Sequence, residues 1–303
     1  MKRVIVFLLI GFFVIATINA QVRYTLIPES PRPGDPVTVA ADTYAKEAII
    51  LVGGKQVAKA NCFYVEDEAG VPCYFASILA IPSTVASGAA VIRLNNDSGV
   101  LCEIRFTIAA RDFRSETLRL DPALTTLVTT SNEQTRAESA RLWQILTTTG
   151  DHVYHDGVFV LPISTTRRTS QFGTRRVNQY SDGRRVTSIH AGVDFGAPTG
   201  TEVYACGKGK VILARARIIS GNSIIIEHGP GIYSIYYHLD SITAQEDAVV
   251  EAGEIIGLVG STGFSTGSHL HWELRISTEN TDPDVFVDRP LLDKSLITSR
   301  LFN

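Results

Sequence analysis

Five of the seven histidines in the chain lie between residues 190 and 271, together with glycine-rich turns. His190 and Asp194 are four residues apart, and His269 and His271 are two apart. In extended backbone, side chains two and four positions apart point to the same face. Two imidazoles and a carboxylate that converge on one point suit zinc, with a fourth position open for water. The spacing therefore predicts a zinc site.

The residues around this pattern indicate strands and turns. Gly192 and the β-branched Val193 lie between His190 and Asp194 and argue against a helix, so the pattern differs from a helical H-E-x-x-H zinc motif. Another histidine of this region, His228, follows an apolar run at the end of what is predicted to be a buried strand. We interpret His228 as a packed residue and not as a ligand.

The order of these motifs resembles the lysostaphin/LytM-type zinc metallopeptidases, a family of glycyl-glycine and murein DD-endopeptidases that hydrolyse peptidoglycan. The resemblance covers about residues 160–290. It rests on H-x-x-x-D at 190–194, Tyr-His-Leu at 237–239, H-x-H at 269–271, the glycine-rich text around them, and S-x-F-G-x-R at 170–175.

Matched position by position, the resemblance implies that His190, Asp194 and His271 bind one zinc ion per chain, and that His238 and His269 are the catalytic histidines. Zinc lowers the pKa of bound water toward ~7 and polarises the scissile carbonyl. A histidine with a pKa near ~6.5 can accept the water proton or donate to the developing oxyanion. Which of the two histidines is the base stays open.

Two further residues have two interpretations each. Asn222 matches a family position near the metal, and both a substrate contact and a role in the turn or strand edge remain open. Glu273 continues the face of His269 and His271. It either orients a metal ligand or ends in solvent.

Length, charge and the N-terminus limit the class of protein. The 303 residues are enough for two domains, and a formal net charge of −3 argues against a nucleic-acid partner. Residues 1–20 combine a basic start, an apolar run and a small final residue, which predicts a secretory signal peptide. The alternative is a retained membrane anchor. We expect export to the periplasm or cell envelope and no stable membrane insertion after the signal is removed.

The chain as a whole is predicted to be mainly β. Residues 21–110 are predicted to form short strands separated by turns, which favours an immunoglobulin-like β-sandwich. This domain is interpreted as a spacer or, alternatively, a binding or inhibitory module. Residues 111–160 are a connector with one helix, predicted to start at a capping box of Ser131 and Gln134. Residues 161–303 are the metallopeptidase domain, for which the resemblance implies an antiparallel sheet.

Two features of the first 160 residues are left open by the sequence. Cys62 and Cys73 flank a predicted hairpin with its turn at 66–70, where a disulfide is feasible in an exported protein. The connector could also lie across the catalytic groove and keep the enzyme latent. The oligomeric state cannot be inferred.

The predicted function is that of a zinc metalloendopeptidase that cuts peptide cross-links of bacterial cell-wall peptidoglycan. One alternative is a catalytically inactive relative that binds and activates other wall hydrolases. A second is a surface protein that binds a ligand through the β-sandwich, and a third is an endopeptidase for glycine-rich proteins outside the wall. All five expected site positions are filled, which favours the enzyme.

Overall fold

The computed structural model describes residues 22–66, 72–130 and 132–303. The predicted signal peptide at 1–20, most of the turn at 66–70 and Ser131 lie outside the described residues. Within the described part of the chain, antiparallel β-sheets dominate, as predicted. Short helices occur between the two halves of the chain and at its C-terminal end.

The first half forms two four-stranded antiparallel sheets. One has the order β1 (Tyr24–Ile27), β2 (Pro36–Ala41), β6 (Pro72–Ala80), β5 (Phe63–Glu66), and the other β4 (Lys55–Asn61), β3 (Glu47–Val52), β7 (Gly88–Asn96), β8 (Gly99–Ile108). Val37 and Val39 from the first sheet pack with Ile50 and Ile92 from the second in one apolar core. The arrangement is a sandwich, and its immunoglobulin-like classification stays a prediction.

Two local features of the sandwich are a hairpin turn at Gly53 and Gly54 and the partial burial of strand β8. Gly53 and Gly54 have φ of 56° and 76° and join β3 to β4, as expected of a tight hairpin. Strand β8 alternates apolar and mostly polar residues from Val100 to Ile108, which predicts one apolar face. Its second half is buried through Ile104 and Ile108, whereas Val100 at its start is 59 % exposed. Alternation in sequence marks a face, but only packing decides how much of that face is covered.

The two cysteines of the predicted hairpin do not form a disulfide in the structure. The ladder between β5 and β6 pairs Phe63 with Ala76 and Val65 with Tyr74. Cys62 and Cys73 therefore lie toward opposite ends of this ladder, beyond the reach of an S–S bond.

The connector has more structure than the single helix predicted for it. It contains a strand, β9 (Ser115–Arg119), and two helices, α1 (Pro122–Thr129) and α2 (Glu133–Thr147). Helix α1 was missed because its threonine-rich sequence has modest helix propensity, although Asp121 caps it. Helix α2 begins with a capping box of Asn132 and Thr135, so the predicted box of Ser131 and Gln134 is wrong.

The second half is built on a ten-stranded antiparallel sheet. Its main path has the order β10-β13-β20-β17-β16-β15-β18, and a separate three-stranded sheet has the order β12-β11-β9. The strands are β10 (Arg168–Ser170), β11 (Arg175–Gln179), β12 (Arg185–Ile189), β13 (Val193–Gly196), β14 (Glu202–Tyr204), β15 (Gly209–Arg217), β16 (Gly221–Gly229), β17 (Ile232–Ile242), β18 (Val249–Val250), β19 (Ile255–Val259), β20 (His269–Ile276) and β21 (Glu279–Thr281).

The two faces of the large sheet are covered differently. One face packs Trp272, Tyr236 and Phe195 into the main core. On the other face, Ile145 and Leu146 of α2 pack against Tyr233, Ile235 and Tyr237 of β17 and their neighbours. The connector helix therefore covers part of the face that also carries His271, the strand neighbour of Tyr237.

The C-terminal segment returns to the sandwich. After α3 (Val285–Asp288), helix α4 (Lys294–Phe302) buries Ile297 and Leu301 against Ala40 and Tyr74. The predicted domain at 161–303 showed little helix signal, because α4 presents only isolated apolar residues to its partner. The two halves of the chain are thus joined by packing as well as by the connector.

Candidate metal centre and active site

Strand register brings three of the predicted site residues together. Asp194 on β13 pairs with His271 on β20. His190 lies just before β13, and the chain turns at Gly192, where an added Cβ would lie 2.1 Å from the carbonyl oxygen of Trp272. His190 and Asp194 therefore converge across a tight turn and not along one extended strand, and the turn requires glycine.

The three side chains meet at one buried point. His190 Nε2 lies 3.0 Å from both Asp194 Oδ1 and His271 Nδ1, and His271 Nδ1 lies 2.7 Å from Asp194 Oδ1. The three residues are only 2 %, 6 % and 7 % exposed. Such a group has the composition and spacing to hold a metal ion.

Outer hydrogen bonds orient both imidazoles. His190 Nδ1 donates to the carbonyl oxygen of Gln171 at 2.9 Å, and His271 Nε2 donates to Glu273 Oε1 at 3.0 Å. In the neutral rings the inward nitrogens are then lone-pair acceptors, as is Asp194 Oδ1. Three converging acceptors repel one another unless a cation lies between them, so the residues fit a bound metal ion.

Glu273 is buried and belongs to this arrangement, in agreement with the first of its two interpretations. It is 4 % exposed, and its second oxygen accepts hydrogen bonds from Arg275 and Asn280. Burial alone would lower the pKa of His271, but hydrogen bonds to Asp194 and Glu273 and the charges of both raise it to about 9. The two carboxylates thus favour a positive charge at the site.

His238 and His269 lie beside this cluster, with ring centroids 4.9 Å apart. His238 Nδ1 donates to the carbonyl oxygen of Thr262 at 2.8 Å, and His269 Nδ1 donates to that of Gly267 at 2.7 Å. In the neutral rings both Nε2 atoms are free to accept a proton, and His269 Nε2 lies 3.7 Å from Asp194 Oδ1. Burial, together with the charges of His271 and His269, lowers the pKa of His238 to about 3.

The backbone at His238 is held in an unusual conformation. Its φ is 63°, and the pairing of β16 with β17 shifts register between Asn222 and Ile224. Asn222 Nδ2 donates to the carbonyl oxygens of Leu239 and Asp240 at 3.0 and 2.8 Å. Its amide therefore supports the irregular backbone beside His238, which is the turn or strand-edge interpretation. The substrate contact of Asn222 stays a prediction.

The histidines and Asp194 open into a cavity of about 490 Å³. Its lining includes residues that sequence reasoning missed: Glu116 and Leu118 of β9, Arg167, Arg176 and Tyr237. The Tyr237 ring stacks on that of His271, 5.6 Å away and tilted by only 8°. The proximity of Glu116 and Leu118 to this site depends on tertiary pairing, which no local pattern indicates. One wall of the cavity thus comes from the connector.

His228 lies away from this centre, consistent with its interpretation as a packed residue. It is fully buried, donates from Nδ1 to the carbonyl oxygen of Lys208 at 2.8 Å, and has Ser234 Oγ 2.7 Å from Nε2. Burial lowers the pKa of His228 to about 3, so the folded protein holds the ring neutral.

A pH dependence of stability follows from His228. In the unfolded chain His228 is protonated below its ordinary pKa of 6.5, whereas in the folded chain it stays neutral down to about pH 3. Folding stability therefore falls as the pH drops through this window. The contribution is at most about 1.4 kcal/mol per pH unit. We expect His228→Asn, which keeps a donor but cannot titrate, to be less stable at about pH 8 yet to lose less stability toward about pH 4. Urea unfolding of both proteins across this range is the measurement, and parallel curves would contradict the expectation.

Comparison with known proteins agrees with this geometry. Residues 188–283 match peptidase family M23. The fold is similar to the crystal structure of a peptidase M23 protein from Pseudomonas aeruginosa, with a TM-score of 0.60 and 22 % sequence identity over 85 % of this chain and 94 % of that one. At that identity the likeness concerns the fold alone.

Two curated relatives match part of the chain. The chain is 38 % identical over 127 residues to DD-carboxypeptidase/endopeptidase Mpg of Neisseria meningitidis serogroup B, covering 42 % of this chain and 28 % of that protein. It is 40 % identical over 114 residues to peptidoglycan DD-endopeptidase ShyB of Vibrio cholerae serotype O1, covering 38 % and 26 %. The chain thus spans only about a quarter of the length of these relatives. The match of residues 188–283 to peptidase family M23 agrees with the family that the sequence resembles.

Proposed function

We propose that the protein is an exported zinc endopeptidase that hydrolyses peptide cross-links of bacterial peptidoglycan in the periplasm or cell envelope. One observation carries the proposal: His190, Asp194 and His271 converge on a buried point, and two further histidines border the same point at the wall of a cavity. A metal-binding group beside paired proton-transfer groups is an arrangement that can hydrolyse a peptide bond.

Zinc is the metal that best fits these residues. Two neutral imidazoles and one carboxylate suit zinc better than the harder cations calcium and magnesium, which prefer oxygen ligands alone. His190 Nε2, His271 Nδ1 and Asp194 Oδ1 would hold it, since these atoms face one another. When bound, zinc supplies Lewis-acid chemistry that activates water and polarises a carbonyl group.

The side chains of the cavity supply the remaining chemistry. His238 and His269 each direct one hydrogen bond outward through Nδ1, which leaves Nε2 to accept the proton of the attacking water or to return it to the leaving amine. Burial keeps His238 neutral. Its Nε2 can donate a hydrogen bond to the developing oxyanion only after it has accepted a proton. The Tyr237 ring stacks on His271 and helps to hold that imidazole in place.

The substrate class rests on relatives that are named for peptidoglycan or for DD-peptide bonds. Two of the three alternative functions considered from the sequence are less favoured. A protein that only binds and activates other wall hydrolases has no need of three aligned ligand atoms, and a surface protein that binds through the sandwich has no need of the cavity. Among the described residues, no helix has the length and apolar character needed to cross a membrane.

Digestion of purified peptidoglycan by the full chain tests the proposal. We expect new free amino termini to appear, to vanish on treatment with a chelator, and to return when zinc is added back, because the site residues are otherwise preorganised. The measurement is amine release combined with mass analysis of the fragments. His190→Ala should match the chelated wild type, and zinc should not restore it. A protein that binds zinc but releases no amino termini would contradict the enzyme and favour the binding protein.

A further inference from the structure

We propose that Arg176 and Glu116 position Asp194, so that a strand of the connector is part of the metal centre. The inference rests on the proposed function, because it assigns a role toward the metal that this function requires. Neither residue belongs to the five predicted site positions, and Glu116 lies in a segment that the sequence presents as a linker.

The contacts form a chain of three side chains. Arg176 Nη2 donates to Asp194 Oδ2 at 2.8 Å, and Arg176 Nε donates to Glu116 Oε1 at 2.6 Å. Ser170 Oγ donates to the same Glu116 oxygen at 3.1 Å. The Arg176, Asp194 and Glu116 side chains are 17 %, 9 % and 29 % exposed, so solvent competes only weakly at the inner contact.

These contacts give the two carboxylate oxygens of Asp194 different partners. Oδ1 faces His190 and His271, whereas Oδ2 is held by Arg176. With Oδ2 engaged, the carboxylate offers a single oxygen to a metal ion. Without Arg176 it could rotate and offer both, which would raise the coordination number and use the position that water or substrate needs.

Glu116 also balances the charge of this arrangement. A guanidinium close to a metal ligand opposes the binding of a cation, and a second carboxylate on Arg176 offsets that repulsion. The position of Glu116 is fixed by the parallel pairing of β9 with β11, in which Glu116 is the register partner of Arg176. The crossover between these strands contains α1 and α2. The connector therefore cannot move away from this domain without separating Glu116 from Arg176.

Metal-binding measurements on the full-length chain test the proposal, with Co²⁺ as a spectroscopic probe. We expect Arg176→Gln to bind metal about 10- to 100-fold more weakly in chelator competition. It should also give weaker visible absorption per bound cobalt, because cobalt with more ligands absorbs less strongly. Glu116→Ala should shift both readouts in the same direction. Glu116→Gln, which keeps the acceptor for Arg176 and Ser170, should restore the wild-type spectrum. Thr117→Val, on the exposed face of the same strand, is the matched control.

Each outcome supports or overturns a defined part of the inference. Wild-type affinity and absorption in both Arg176→Gln and Glu116→Ala would overturn the positioning role and leave the zinc peptidase intact. Weaker affinity with unchanged absorption would replace positioning by a charge effect and also overturn it. If Arg176→Gln does not fold, the difference between Glu116→Ala and Glu116→Gln decides. A wild-type chain that takes up no cobalt would overturn both the metal centre and the role of Arg176.

Discussion

Asp194→Asn is expected to abolish metal binding and, with it, peptidase activity. Asp194 Oδ1 lies within 3.0 Å of the inward nitrogens of both His190 and His271, and the substitution removes the negative charge that these contacts share. Groups that merely support metal ligands are worth about 10- to 100-fold in metal affinity, so loss of a ligand charge should cost at least about 100-fold. Zinc content after dialysis and chelator competition give the affinity, and amine release from peptidoglycan gives the activity.

The control for this substitution is Asp247→Asn. Asp247 carries an exposed carboxylate at 85 % side-chain accessibility and has a φ of 67°, which asparagine adopts readily. It should bind zinc and cleave peptidoglycan like the wild type. Folded Asp194→Asn protein that keeps one tightly bound zinc would show that the three residues are not the metal centre.

Removal of either bordering histidine is expected to separate catalysis from metal binding. His238→Ala and His269→Ala should each retain zinc, because neither ring belongs to the converging His190, Asp194 and His271 group. Loss of a general acid or base typically lowers turnover about 10²- to 10⁴-fold. That range corresponds to about 3 to 5 kcal/mol of transition-state stabilisation. We expect the loss in kcat rather than in KM, measured on a defined cross-linked peptide.

His152→Ala provides the histidine control. His152 is exposed and its ring contacts Tyr154, away from the cavity, so turnover should be unchanged. Loss of zinc in His238→Ala or His269→Ala would mean that ligand and catalytic roles are wrongly divided. Since φ at His238 is 63°, His238→Asn is a useful second variant, because asparagine tolerates this backbone better than alanine does.

The connector forms part of the site and does not merely cover it. Strand β9 supplies one wall of the cavity through Glu116 and Leu118, and α2 packs on Tyr237, whose ring stacks on His271. A fragment of residues 160–303 would lack both elements. Lower activity in such a fragment would therefore report loss of support, and only higher activity would point to latency.

Much of the second half of the chain follows from local patterns. Apolar runs between glycine turns are typical of strands and occur in β15, β16, β17, β19 and β20, and the alternation of side chains in a strand places His269 and His271 on one side. The resemblance then ordered five residues into one site. The strands could be predicted because a strand and its facing residues depend on neighbours close in sequence, whereas the roles of the five residues stay predictions.

Other features depended on contacts between residues far apart in the chain. Arg176 meets Glu116 across 60 positions, and helix α4 packs on a sandwich that begins more than 200 residues earlier. Asn222 supports the backbone near His238 only because a register shift between β16 and β17 brings the carbonyl groups of Leu239 and Asp240 to its amide. Residue alternation carries no information on register, on parallel pairing across a crossover, or on which helix covers which face. Those properties are set by packing and by the need to satisfy buried polar groups, and these forces act only in the folded chain.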